Sequence, residues 1–250
     1  VQQKSIRALY QYARASAFTI SEYQLEKLPD VKLIIVPAPW IFSKDAWNKL
    51  IDKVKSGVTL LISGRIDADE HWLPDSSRIQ DLKIKYSAGL LSLREAELVW
   101  PGGPSHISYP GDKTTYGERG LLENNKTFEE ISVGKGKIFY FSLPLELADQ
   151  LDAIGEIYKY AINRAGVKTP YQTSLKDPGI LISPTRLKDA TLYVLTSEST
   201  SDSDIVFKDS LSGKTIKTVL EPGRAALLLI DKNGNIKASY GEKNIEISDK

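Results

Sequence analysis

The 250 residues carry 33 Lys+Arg against 32 Asp+Glu, a net charge of +1, and contain neither cysteine nor methionine. The missing thiols exclude disulfides, thiolate metal centres, iron–sulfur clusters and a cysteine nucleophile. The balanced charge offers no basic footprint for nucleic acid, and apolar runs such as 33–36 and 225–230 fall far short of the roughly 20 residues of a membrane-crossing helix.

A 41% hydrophobic composition is enough for a core, and the length fits one or two domains. The chain opens on Val1 and lacks methionine throughout, so it reads as a processed or excised piece of a longer polypeptide, or as a sequence deliberately freed of methionine. No compartment is implied.

In chain order, Ile6, Leu9, Tyr10 and Ala13 recur on one face and predict a helix over 4–14. Residues 17–23 read as a strand. Leu33-Ile34-Ile35-Val36 reads as a strand buried on both faces, stopped by Pro37 and Pro39. Ser43 is the expected N-cap of a helix whose apolar stripe is Ala46, Trp47, Leu50, Ile51 and Val54. Lys53 and Lys55 suit its last turn, and Gly57 its C-terminal stop. A second buried strand at 58–62 completes a β-α-β unit.

Residues 64–136 are less regular. Strand-like pieces at 97–100 and 106–109, split by Pro101-Gly102-Gly103-Pro104, predict hairpins and a long loop at the sheet edge. Gly134-Lys135-Gly136 is a turn signal ahead of a strong strand at 137–143. A final helix is expected over 147–165, with Leu151, Ile154, Ile157, Tyr158, Ala161, Ile162 and Ala165 inward and Gly166 as its stop.

The character changes near residue 170. Residues 169–178 read as a linker. Strand patterns follow at 180–182, 191–196, 204–208, 215–220, 224–230 and 236–239, with turns at Ser212-Gly213 and Asn233-Gly234. Residues 241–250 read as a polar tail in which Ile245 and Ile247 could add an edge strand. The expected organisation is an α/β domain with an open parallel sheet over 1–168, the linker, and a small antiparallel β-sandwich over 179–250. No strand precedes the first helix, so the sheet is expected to lack its first strand.

The stretch 31–66, VKLIIVPAPWIFSKDAWNKLIDKVKSGVTLLISGRI, resembles the second domain of family-42 β-galactosidases. That domain is similar to class I glutamine amidotransferases, a flavodoxin-like fold. The resemblance rests on Val36-Pro37-Ala38, the helix ending at Ser56-Gly57, the strand Val58-Thr59-Leu60-Leu61, and the run 134–141 (GKGKIFYF). Residues 189–231 are similar in style to the small β-sandwich that closes many such enzymes. The resemblance implies a flavodoxin-like (amidotransferase-like) sheet followed by the sandwich. It also implies that the family's two catalytic glutamates lie on a TIM barrel outside these residues, so no catalytic residue is carried over. The partner so implied is that barrel, in the same protein or in another copy, with homo-oligomer contacts possible.

Ser63-Gly64 follows the second strand, where an amidotransferase nucleophile would stand, but it lacks the Gly-x-Ser-x-Gly elbow. His71 and His106 are the only histidines and have no metal-ligand spacing, so neither a metal nor a cofactor is expected. The run Arg65–Trp72 follows a buried strand, where open sheets bind ligands. Arg65, Asp67, His71 and Trp72, with Trp40 after the preceding strand, offer the groups that grip a sugar; the competing reading is a solvated loop. Glu146 reads as an acid favoured by a helix N-terminus. Asn125-Lys126-Thr127 fits a glycosylation sequon. The leading expectation is a non-catalytic C-terminal piece of a bacterial glycoside hydrolase. A carbohydrate-binding module using the Trp40/Trp72 rim is the alternative, and a stand-alone hydrolase is the weakest reading.

Overall fold

The computed structural model describes residues 1–39, 41–91, 94–110, 117–122 and 126–249, with the backbone alone for 86–91 and 117–122. Trp40 and Asn125 lie outside the described residues. The chain divides into two compact units: residues 1–6 with 18–167, and residues 7–17 with 168–250.

The chain begins with helix α1 (Gln2–Arg7), which runs into a π-helical turn over Ala8–Ala13. In the first unit the strand expected at 17–23 does not form. Ser21 accepts a hydrogen bond from the Tyr23 backbone and caps a 3₁₀ turn over Glu22–Lys27, a local bond that competes with sheet pairing. The β-α-β unit follows as β1 (Leu33–Val36), α2 (Lys44–Ser56) and β2 (Thr59–Ser63). The Ser43 hydroxyl accepts from the Ala46 amide at 3.2 Å, and Gly57, at φ 124°, closes the helix. Next come α3 (Ser77–Leu82), β3 (Tyr86–Leu91), β4 (Glu95–Trp100), β5 (Gly103–Ser108), β6 (Gly117–Leu122), β7 (Phe128–Val133), β8 (Gly136–Phe141) and α4 (Leu151–Arg164).

The main sheet has the order β1-β2-β8-β7, with β1, β2 and β8 parallel and β7 antiparallel to β8. Strand β2 is wholly buried, whereas β1 is only half-buried, because it forms the sheet edge rather than an interior strand as its sequence implied. The side chains of β8 alternate between two layers, as a strand's period of two requires. Ile138 and Tyr140 pack with Trp47, Ile51 and Val54 of α2 and with Leu60 and Ile62. Phe139 and Phe141 enter an aromatic cluster with Phe128 and with Tyr160 of α4 and Trp100 of β4. Covering on both faces is what a parallel sheet demands. The β4–β5 hairpin turns on Pro101-Gly102, with Gly103 and Pro104 already paired in β5, and is tied down at both ends. The Thr127 hydroxyl accepts from Val99 N at 2.8 Å, and the Gln150 amide oxygen accepts from Ser108 N at 2.6 Å.

The second unit is built from β9 (Tyr171–Thr173), β10 (Ile180–Arg186), β11 (Ala190–Ser197), β12 (Ser203–Asp209), β13 (Thr215–Leu220), β14 (Ala225–Asp231), β15 (Ile236–Tyr240) and β16 (Lys243–Ser248). They form two four-stranded antiparallel sheets, β10-β11-β14-β15 and β16-β13-β12-β9. Tyr171, Ile182, Tyr193, Leu195, Phe207, Ile216 and Leu228 are among the core residues they enclose. One stretch differs from expectation and one takes the edge strand that its isoleucines allowed. Within 169–178, read as a linker, β9 pairs with β12, because Tyr171 has a core site to fill. In the polar tail, β16 pairs with β13, with Ile245 and Ile247 packed against the core. Residues 7–17 join this unit through Arg14, whose buried guanidinium donates to the carbonyls of Ile180, Leu175 and Asp177. Among the described residues, no helix is long and apolar enough to cross a membrane.

The first residue of β8, Gly136, tolerates no side chain. A Cβ on Gly136 would lie 2.2 Å from Val54 O and 2.3 Å from Val58 O, whereas one on Gly213 meets only open space at φ +74°. Gly136→Ala is expected to cost about 3 kcal/mol by overpacking, and Gly213→Ala about 1 kcal/mol through its left-handed backbone. Urea denaturation of the two variants checks the ranking, and the reverse order would refute it.

Candidate functional site

Open α/β sheets bind ligands beyond the carboxyl ends of their parallel strands. Here that ground is filled. Ser63, the last residue of β2, has no exposed surface, and neither has Glu146, which sits in a 3₁₀ turn (Leu145–Leu147) between β8 and α4. The Ser63 hydroxyl donates to Glu146 Oε2 at 2.5 Å and accepts from the Ala38 amide at 3.1 Å. The Tyr158 hydroxyl, on α4, donates to Glu146 Oε1 at 2.6 Å. Pro144 closes over Gly64 so tightly that a Cβ there would meet Pro144 Cβ at 3.3 Å, and the Gly64 carbonyl accepts from the Tyr140 hydroxyl at 3.0 Å. Tyr109 is buried with its hydroxyl unpartnered among the described residues, and burial together with the nearby Glu146 charge holds its phenol well above the usual value.

This arrangement ties the strand ends together and leaves neither Ser63 nor Glu146 an exposed surface. A serine nucleophile needs a general base that accepts its proton and an approach for substrate. Ser63 donates to a carboxyl, but both groups are buried without an approach for substrate, and both histidines, His71 and His106, are exposed. Glu146 is likewise not a free acid at a helix N-terminus, as its position in the sequence implied; its carboxyl points inward and is shared by Ser63 and Tyr158. The sequence carried a trace of this, since an acid placed directly between a buried strand and a helix falls at the strand ends. Among the described residues, no group of three His, Asp or Glu is placed to hold a metal ion.

The other candidates lie on the loop after β2. Arg65 and Asp67 pair with each other, Nε to Oδ1 at 2.7 Å and Nη2 to Oδ2 at 3.2 Å. Trp72 stands at the loop tip with 59% of its surface exposed, beside an exposed His71. Trp40, expected at the same rim, lies outside the described residues. Sequence reasoning missed the residue that holds this loop. Arg78 of α3 is 2% exposed and donates to the carbonyls of Ile66, Ala68 and Phe42. Nothing in the periodicity of a six-residue helix marks an inward arginine. Tyr23, 74% exposed, was read as part of a strand.

No protein-family profile and no curated protein matches the sequence. Solved structures do match in fold. A GH42 β-galactosidase from G. stearothermophilus, solved as a catalytic mutant, aligns with a TM-score of 0.67 at 12% identity, over 90% of this chain and 35% of its own. The cold-adapted β-galactosidase from Rahnella sp. R3 gives 0.67 and 12% over 91% of this chain and 36% of its own. The β-galactosidase of Bacillus circulans sp. alkalophilus gives 0.64 and 15% over 90% and 36%. The chain thus shares the fold of a region of GH42 β-galactosidases and spans about a third of their length.

The sealed carboxyl sets a pH test. Burial pushes Glu146 above the usual carboxyl range, against the two hydroxyl hydrogen bonds, which favour the charged form. A raised value in the folded state gives a stabilising contribution that is complete below the ordinary carboxyl range and is lost as pH rises through the folded value. Glu146→Gln cannot ionise and should escape that loss. Its denaturation midpoint is expected to gain on the native chain between pH 4 and pH 8; a difference that does not vary with pH would contradict the assignment.

Proposed function

We propose that this chain is a non-catalytic, ancillary region of a glycoside hydrolase related to the GH42 β-galactosidases. The observation that carries the reading is the shared fold: about nine-tenths of the chain aligns, at TM-scores of 0.64 to 0.67, with about a third of each of these longer enzymes. In this reading the α/β unit is of the flavodoxin-like, amidotransferase-like type, with its former ligand crevice plugged by Pro144 and the Ser63–Glu146–Tyr158 cluster. Its role is structural: packing against a catalytic barrel, supporting contacts between copies, and walling the substrate cleft. The partner is the barrel part of the same polypeptide or a second copy of the chain.

Two measurements test this. The 250-residue chain should leave nitrophenyl β-galactoside unhydrolysed; turnover of about 1 s⁻¹ or more, within the ordinary enzyme range, would overturn the non-catalytic assignment. The intact mass of the native polypeptide should exceed that of these residues by at least a barrel of about 250 residues. A native polypeptide too short to include one would overturn the ancillary assignment.

A further inference from the structure

The two sheets of the second unit have outer faces of opposite character. In the sheet β10-β11-β14-β15, buried and less buried residues alternate strictly along β11 and β14, which defines the outward row of each strand. The register aligns those outward residues: Val194, Leu227 and Tyr240 lie in one row, Leu192, Leu229 and Ala238 in the next. Strand β10 continues both rows with hydroxyl side chains, Ser183 and Thr185. Neither row contains a charge, in a chain that is 26% charged. Leu227 is 41% exposed and Tyr240 73%. Beside the rows, the charges of Asp231 and Lys237 neutralise each other at 3.2 Å. The sheet β16-β13-β12-β9 follows the ordinary rule of apolar inside and polar outside, with Asp204, Lys208, Lys217 and Glu246 turned to solvent.

The chemistry of the uncharged face selects its occupant. An apolar patch of this kind on a soluble domain marks a contact surface. A partner surface that carries charges would have to bury them unpaired, which is strongly unfavourable. The matching surface is therefore flat, apolar and uncharged, and this face has those properties itself. Two copies related by a two-fold axis bring like against like, and with no charge in the rows nothing repels. Two of the four strands, β10 and β14, are 7 residues long. At about 3.4 Å per residue and about 4.8 Å between strands, the face measures about 450 Å². Packing it on its own copy covers about 900 Å² in all, short of the roughly 1,200 Å² of stable complexes and within the transient class.

We propose that the outer face of β10-β11-β14-β15 is a self-association surface, on which two copies of the chain pack sheet against sheet about a two-fold axis near Val194 and Leu227. The area makes this a weak, reversible dimer with a Kd on the order of 100 μM. The surface requires neither catalysis nor the ancillary reading above, which locates no contact between copies.

Sedimentation equilibrium of the intact 250-residue chain, from about 10 μM to about 1 mM, tests this. The average mass is expected to rise reversibly from monomer towards dimer over that range. Leu227→Lys and Tyr240→Lys each put a charge into a row at a side chain that already reaches solvent, and each should weaken the dimer by about tenfold or more. Far-ultraviolet circular dichroism checks that both variants keep the fold. Lys217→Glu, on the opposite sheet, should leave the dimer unchanged. The proposal falls if the native chain stays monomeric to about 1 mM, which would give the face to an occupant other than a second copy. It also falls if both lysine variants dimerise as the native chain does, if Lys217→Glu weakens the dimer equally, or if the mass climbs past the dimer without limit, which would mark unspecific association. Failure here leaves the hydrolysis and native-mass measurements untouched, so the two readings fail separately.

Discussion

A carboxyl group without access to water governs the architecture of the first unit. Glu146 joins the end of β2, through Ser63, to α4, through Tyr158. A buried carboxyl is tolerable only when its oxygens are hydrogen-bonded, so each partner must be held where the carboxyl needs it. Ser63 in turn fixes the backbone after β1 by accepting from Ala38. The carboxyl ends of two neighbouring parallel strands and the helix that follows β8 are thus bound to one polar centre. The same centre lies at the carboxyl end of β2, where such sheets otherwise take ligands, and its polar groups are turned inward.

Where the strand ends are sealed, the loop beyond β2 reaches solvent. Its backbone donors are spent on Asp69 and on its own carbonyls, and its root is fixed by Arg78. Arg78 is an expensive group to bury, since desolvation opposes its charge. Three carbonyl acceptors offset that penalty and turn an irregular segment into a rigid one. The protein therefore carries a sealed polar cluster and an exposed aromatic tip a few residues apart on the same strand exit, and only the second is open to solvent.

Much of this was legible in the sequence, because local rules decided it. The Ser43 cap, the α2 stripe and the Gly57 stop define a helix by composition alone, and the alternating strands beyond residue 180 define antiparallel pairing with comparable clarity. The failures share one cause. Residues 17–23 carry strand-like apolar residues, yet Ser21 finds a nearer hydrogen-bond partner. Residues 169–178 look like a linker because three residues are too few to display a period. The run Leu33–Val36 reads as interior, but no apolar pattern reports which strands will flank it. Sequence position grouped Arg65, Asp67, His71 and Trp72 on the segment after β2. Position could not foresee that Arg65 and Asp67 pair with each other.

The sequence by itself determined that no cysteine chemistry is available, that an α/β segment precedes an all-β one, and where most helices and strands lie. These follow from residue types and short periods, which need no knowledge of distant contacts. Only the tertiary structure decided that Ser63, Glu146 and Tyr158 meet, that Arg78 turns inward, and that residues 7–17 belong with the β-rich unit. Those facts depend on groups up to 166 positions apart, as between Arg14 and Ile180, brought within hydrogen-bonding distance. Hydrogen bonding at that range leaves no periodic mark in the chain.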